Sequence, residues 1–69
     1  MRRPGTPPPT ADQLLYTPEE AARVLRFGRS TVYELMAEGT LTYVKRGRSR
    51  RIRRSDLEAY VNALEPVAA

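Results

Sequence analysis

The hydrophobic positions of the chain recur at helical spacing in three stretches. The first stretch contains four of them: Ala21, Ala22, Val24 and Leu25. Just before it, the run Thr17-Pro18-Glu19-Glu20 combines a threonine suited to an N-cap, a proline for the first helical position and a glutamate three residues after the cap. The pattern therefore predicts a helix over residues 18–25, with the apolar residues facing a core.

The second stretch predicts another helix, which begins at Arg29. Its apolar residues stand at positions i, i+3 and i+4: Val32, Leu35 and Met36. Gly39 suits the left-handed backbone that commonly ends a helix. Three residues, 26–28, separate the two predicted helices, as in a helix-turn-helix arrangement. Phe27 lies in this turn, and we expect it to fill the space between the helices.

The third stretch predicts a C-terminal helix. Its apolar residues stand at positions i, i+3, i+4 and i+7: Leu57, Tyr60, Val61 and Leu64. Ser55 and Glu58 have the spacing of a capping box, so we expect Ser55 to be the N-cap and Pro66 to end the helix. Asp56 and Glu58 are better explained as acidic residues that stabilise a helix N-terminus than as catalytic carboxylates. We assign three large side chains to the core: Phe27, Met36 and Tyr60.

A strongly basic segment lies between the second and third predicted helices. Seven of the ten residues at 45–54 are Lys or Arg, and none is acidic. The chain carries a formal charge of +4 in total and +7 in this segment, so the remainder sums to about −3. Val44 and Ile52 lie on either side of a turn-like run at 47–50, and we expect the two hairpin arms at 41–44 and 50–53. This pattern predicts a two-stranded hairpin with a charged tip, which is typical of a surface that binds a polyanion.

The composition excludes several classes of function. A chain of 69 residues forms one small domain. Without cysteine it has no disulfide framework or thiolate zinc site, and without histidine it lacks the commonest general base and metal ligand. We therefore expect no enzyme activity, cofactor, metal site or small-molecule ligand. The longest apolar runs span two or three residues, so we also expect no membrane segment and a cytoplasmic location.

The proline content divides the chain. Residues 1–13 hold four of the six prolines and almost nothing to bury, which predicts a disordered Pro-rich N-terminal arm. Residues 14–65 contain the three predicted helices and the hairpin, so we expect them to form the folded domain. Residues 66–69 are then a short tail.

Two sets of residues are candidates for contacts with nucleic acid. A helix fits the DNA major groove, where side chains near its N-terminus reach the base edges. The candidates on the second predicted helix are Arg29, Ser30, Thr31, Tyr33 and Glu34. Those of the hairpin, which suit the phosphate backbone or the minor groove, are Lys45, Arg46, Arg48, Ser49, Arg50, Arg51 and Arg53. An ordinary polar helix face and a solvated charge run are the alternative explanations, and RNA is the alternative polyanion.

Residues 14–64 resemble the excisionase-type DNA-binding domain, a MerR-like winged helix-turn-helix. The motifs that carry the resemblance are Thr17 with Glu20-Ala21-Ala22, Arg29-Ser30-Thr31-Val32-Tyr33, Gly39, Leu41, Gly47, Arg51-Ile52, and Ser55-Asp56-Leu57 with Tyr60. The resemblance implies that the helix beginning at Arg29 enters the major groove and that the hairpin is a wing over the adjacent minor groove. It also implies that the protein binds and bends attachment-site DNA, often side by side on direct repeats, and directs an integrase toward excision.

The sequence thus predicts a small α+β fold, a winged helix-turn-helix in the order helix, helix, β-hairpin wing, helix. We expect a monomeric protein of bacterial, phage or plasmid origin, associated with the nucleoid. Its expected partners are double-stranded DNA with direct repeats, an integrase or recombinase, and further copies of itself arranged head-to-tail on DNA. Excisionase is the first expectation for its role. A stand-alone transcription regulator and a protein-interaction adaptor with a basic wing are the alternatives.

Overall fold

The computed structural model describes residues 13–67. The elements within this range, in chain order, are β1 (Leu15–Tyr16), α1 (Pro18–Leu25), α2 (Arg29–Glu38), β2 (Val44–Arg46), β3 (Ser49–Arg53) and α3 (Arg54–Ala63). This order confirms the predicted small α+β fold and the winged helix-turn-helix. The predicted disordered arm lies outside the described residues, apart from Gln13.

The two helices of the helix-turn-helix begin and end as the sequence predicts. Thr17 Oγ1 accepts a hydrogen bond from the Glu20 amide (3.0 Å), and Glu20 Oε1 accepts one from the Thr17 amide (2.9 Å), so the capping box of α1 is complete. Three residues then lead to α2, whose N-cap Gly28 offers no side chain to its first turn. Gly39 ends α2 in the left-handed region, with φ of 80°, where glycine carries no steric penalty.

The start of α3 differs from the prediction. The helix begins at Arg54, and its N-cap Arg53 makes no side-chain cap hydrogen bond, so the predicted Ser55 capping box was wrong. The reason is that β3 runs into α3 without a loop. Arg53 pairs with Leu15 in the sheet, and the Arg54 amide donates to the Leu14 carbonyl at 2.9 Å. Backbone pairing of Arg53 and Arg54 therefore fixes the start of the helix, and Ser55 follows inside its first turn.

Replacing Thr17 with alanine is expected to lower the free energy of unfolding by about 1 kcal/mol, because an amide in the first turn of α1 loses its acceptor. Ser55→Ala is the matched control and is expected to change the free energy by a few tenths of a kcal/mol at most, since its hydroxyl caps nothing. Urea denaturation followed by circular dichroism measures both. Equal losses from the two variants would contradict the observed assignment of the caps.

The wing belongs to a sheet larger than the predicted hairpin. Its three antiparallel strands lie in the order β1-β3-β2, with Tyr16 opposite Ile52 and Val44 opposite Arg51. The hairpin itself is confirmed, but its first strand covers 44–46 rather than 41–44. A two-residue turn joins the strands at Gly47, with φ of 61°, and this is tighter than the predicted turn over 47–50. Because the turn is short, the strands pair almost to the tip.

The core lies where the three helices and the sheet meet. Its buried members are Tyr16, Ala21, Ala22, Val32, Met36, Leu41, Ile52 and Leu57. Leu25, Leu35 and Tyr60 are half-buried against it, as the helical patterns predict. Leu41, predicted to start a strand, instead fills the core after α2.

Several apolar residues predicted to face the core do not. Val24 is 41% exposed, and Val61 and Leu64 are about half exposed. The helix α3 ends at Ala63, so Leu64 has left its last turn and Pro66 lies beyond the end. Phe27 is 37% exposed, and its ring meets Tyr60 edge-on at 6.3 Å instead of filling the space between α1 and α2. Its position in the turn therefore sets the Phe27 ring at the surface beside α3 rather than in the core.

Candidate nucleic-acid interface

The helix α2 presents one polar face to solvent. Val32 and Met36 are buried, so the opposite side of the helix is set outward. Ser30, Thr31 and Glu34 are exposed, and Tyr33 is half-buried. Arg29 is also exposed, in the first turn, and its side chain is hydrogen-bonded to α1. The structure therefore brings the five candidate residues of this helix together near its N-terminal end.

The turn between α1 and α2 fixes the direction of this face. The Phe27 amide donates to the Ala22 carbonyl at 2.9 Å, and the Arg26 amide donates to the Arg23 carbonyl at 3.2 Å. Arg26 itself adopts a left-handed backbone, with φ of 61°. These bonds close the end of α1 and hold the angle at which α2 leaves the turn.

A carboxylate of α1 holds two of the candidate side chains of α2. Glu19 Oε2 accepts a hydrogen bond from Tyr33 Oη at 2.8 Å and another from Arg29 Nε at 3.0 Å. Sequence reasoning missed Glu19, because an acidic residue in a first helical turn is already explained by the helix dipole. Its partners are 10 and 14 positions away, so no helical spacing connects them.

The charge of Glu19 is stabilised by these contacts. The Tyr33 hydroxyl holds the pKa of the Glu19 carboxyl below its ordinary value, and Arg29 adds a smaller effect in the same direction. A folded-state pKa below the unfolded one stabilises the fold above the ordinary pKa of glutamate. That contribution is lost as the pH falls through the folded pKa, so the Glu19 carboxylate is charged at neutral pH.

Arg50 of the wing lies against a residue of α2. The guanidinium carbon of Arg50 lies 5.3 Å from the centre of the Tyr33 ring, the same distance as that of Arg29. Both distances are within the range of cation–π attraction. Arg50 shares a face of β3 with buried Ile52, because side chains alternate along a strand, and this face is turned toward the helices. Tyr33 therefore connects the exposed face of α2 to the wing.

Some cations of the basic segment form ion pairs with a carboxylate, and others do not. Among residues 13–67, ion pairs involve Arg29, Arg53 and Arg54. Arg53 donates from Nε and Nη2 to the two carboxylate oxygens of Asp56, at 2.8 and 3.0 Å, and this holds the pKa of Asp56 below its ordinary value. The wing cations outside these pairs are Lys45, Arg46, Arg48, Arg50 and Arg51. Of these, Arg51 is half-buried and donates to the Arg50 carbonyl at 2.9 Å, whereas the others are exposed.

The match to known families covers these same elements. A family model described as "Helix-turn-helix domain" matches residues 15–64, which run from β1 to the end of α3. The chain belongs to the helix-turn-helix domain family. A protein of Saccharopolyspora erythraea named "Probable excisionase" is 42% identical over 53 residues, which are 77% of this chain and 54% of that protein. The chain thus spans about half the length of this relative. No solved structure matches the chain.

Membership of the helix-turn-helix family indicates which of the two helices faces DNA. In this motif the second helix is the one presented to a groove of DNA, while the first crosses behind it. Here the second helix carries the exposed polar residues, and Glu19 of the first helix is hydrogen-bonded to two residues of that helix. Within residues 13–67, no helix is long and apolar enough to cross a membrane, and no group of acidic residues is arranged to hold a metal ion.

Proposed function

We propose that the chain binds double-stranded DNA with sequence preference, through α2 and the wing together. One observation carries this proposal. Within the described range, a hairpin with five cations outside any ion pair lies beside the exposed polar face of α2, and Arg50 joins the two surfaces at Tyr33. Duplex DNA is complementary to this surface, because its regularly spaced phosphates suit the basic hairpin and its open major groove suits the polar helix.

The helix α2 enters the major groove with its N-terminal half toward the base edges. Arg29 offers parallel donors that match O6 and N7 of guanine. Ser30 and Thr31 hydrogen-bond to phosphates or bases. The Tyr33 hydroxyl already donates to Glu19, so its oxygen is left to accept a hydrogen bond from a base. Glu34 accepts a hydrogen bond from a cytosine amino group and repels phosphate elsewhere, so it contributes to preference rather than to affinity.

The wing supplies most of the affinity by binding phosphates beside the adjacent minor groove. Its contacts come from Lys45, Arg46, Arg48, Ser49, Arg50 and Arg51. If about 3–5 of these cations neutralise phosphates, the logarithm of the binding constant falls with the logarithm of salt concentration at a slope of about −3 to −4.5. Arg53 contributes least among the candidate residues, because Asp56 already engages its guanidinium through two hydrogen bonds.

We further propose that the protein acts as an excisionase. The 42% identity to a protein named "Probable excisionase" supports this role. In it, the chain binds and bends attachment-site DNA, copies bind head-to-tail on direct repeats, and the resulting complex directs an integrase toward excision. A stand-alone transcription regulator would use the same surface on a single site.

Replacing Arg29 with alanine is expected to weaken binding to a selected DNA site by about 5- to 150-fold, because a bidentate contact with guanine is lost. Binding to random duplexes should weaken less, since a phosphate contact there is replaceable. Fluorescence anisotropy titrations on both duplexes at one salt concentration measure the two affinities.

Arg48→Ala is the control for this experiment. It lies at the tip of the wing and should weaken binding to both duplexes by the same factor, with a loss of about 1 in the salt slope. If Arg29→Ala also lowered both affinities equally, α2 would not be the element that discriminates sequence.

A further inference from the structure

The carboxylate of Glu19 occupies an unusual place beside the proposed DNA surface. A single oxygen, Oε2, accepts hydrogen bonds from Arg29 and from Tyr33, both of which belong to the proposed recognition face. The side chains of Glu19 and Arg29 are 48% and 70% exposed, so the pair lies at the surface where DNA would approach. Exposed ion pairs contribute little to stability. The cluster is therefore better explained by what it does to Arg29 than by what it does to the fold.

The geometry of the pair leaves the base-contacting edge of Arg29 available. A guanidinium carries five N–H donors, and the hydrogen bond to Glu19 uses the one on Nε. The four N–H groups on the two terminal nitrogens are outside this bond. A guanine presents two acceptors, O6 and N7, side by side, and two N–H groups from that edge match them. Glu19 can thus hold the guanidinium from one side while the other side meets a base.

A second restraint acts on the same guanidinium. Arg29 lies over the Tyr33 ring at 5.3 Å, and the Tyr33 hydroxyl is bonded to the oxygen that holds Arg29. The arginine is therefore fixed by a carboxylate at Nε and by an aromatic face beneath it. An arginine without these restraints has several freely rotating bonds and reaches phosphates, which carry no sequence information.

We propose that Glu19 is a positioning residue for sequence recognition: it orients Arg29 toward a guanine and keeps it from binding phosphates of arbitrary sequence. The inference rests on the proposed function. Two physical effects of Glu19 would both increase the preference of Arg29 for guanine. The hydrogen bond pre-orders the guanidinium, so less entropy is lost when a guanine is bound. The negative charge also repels phosphate, which penalises DNA on which Arg29 finds no base partner.

The test is Glu19→Gln, measured as the ratio of affinities for a selected duplex and for a random duplex. We expect this ratio to fall by about 5- to 20-fold, because the glutamine oxygen holds Arg29 without a charge-assisted bond and no longer repels phosphate. Binding to the random duplex should become tighter, since a repelling charge is gone. Circular dichroism and thermal melting establish that the variant is folded.

Glu38→Gln is the matched control. It removes the same charge from the end of α2, where Glu38 accepts a hydrogen bond only from Thr40 among the described contacts. Both affinities should rise by the same small factor, and their ratio should stay unchanged. If Glu19→Gln behaved in the same way, the role of Glu19 would be reduced to general electrostatics and the inference would be overturned.

A double variant separates positioning from any independent effect. In the Arg29→Ala background, Glu19→Gln should leave the ratio unchanged, because no guanidinium remains to be oriented. A ratio that falls equally in both backgrounds overturns the inference, since Glu19 would then act without Arg29. If the unsubstituted protein showed no preference at all, the proposed function would fail and this inference with it. A preference that Glu19→Gln leaves undiminished overturns only the role of Glu19.

Discussion

A variant with alanine at Lys45, Arg46 and Arg48 is expected to bind any duplex about a hundredfold more weakly at 0.1 M salt, with a salt slope smaller by about 2.7. These three cations are exposed on the wing, and among residues 13–67 none of them forms an ion pair. Each phosphate that they neutralise releases counterions, so losing them removes affinity that does not depend on sequence. Anisotropy titrations over a salt series, on selected and random duplexes, measure the slope directly.

Arg54→Ala is the single-charge control for this variant. Its guanidinium already faces Glu58 at 3.4 Å, so its removal should cost less affinity than any one wing position. The wing substitutions lie at exposed positions and should leave the melting temperature nearly unchanged. An unaltered salt slope in the triple variant would show that the wing does not bind phosphates.

Replacing Ile52 with alanine is expected to lower the free energy of unfolding by about 2–5 kcal/mol. Ile52 is fully buried in β3, the central strand, and the sheet register sets it opposite Tyr16. A domain of this size has a total stability of only about 3–10 kcal/mol, so the variant should lose much of it. Urea and thermal denaturation, followed by circular dichroism, measure the change.

Val67→Ala is the control for the core substitution, because Val67 is 94% exposed and its truncation should change the free energy by at most about 0.5 kcal/mol. A loss from Ile52→Ala no larger than that of the control would contradict the observed core. The two variants together therefore test the register of the sheet that carries the wing.

Features that depend on local side-chain chemistry could be predicted from the sequence. The start of α1 follows from a threonine and a glutamate that bond to each other across one turn. The end of α2 follows from Gly39, which adopts the left-handed backbone at no steric cost. The basic hairpin was also predictable, because its charge is concentrated in one segment and its glycine permits a tight turn.

Features that depend on distant pairing could not be predicted. The strand β1 has two residues, too few for any alternation to be recognised. It nevertheless determines where α3 begins, because the Leu14 carbonyl accepts the Arg54 amide. Ser55 has the right sequence context for an N-cap. It is nevertheless already the second residue of α3, so it cannot be the cap. Here tertiary pairing overrides a local signal.

The apolar pattern of α3 shows what hydrophobic periodicity does not predict. Periodicity identifies which residues share a face, but it does not say how much of that face another element covers. Leu57 is buried, whereas Val61, one turn later, is 47% exposed. The candidate site shows the same limit, since Glu19 and Tyr33 meet only because the turn places α1 and α2 side by side.

The most direct test of sequence recognition by α2 is a footprint with increasing protein on DNA selected from a random pool. We expect a defined sequence to be selected and protection to begin there, then to extend stepwise across adjacent direct repeats as copies bind head-to-tail. A single or palindromic site that fills without spreading would keep sequence-specific binding but favour a transcription regulator. If no sequence were selected, and protection spread from no preferred position, sequence recognition by α2 would be contradicted.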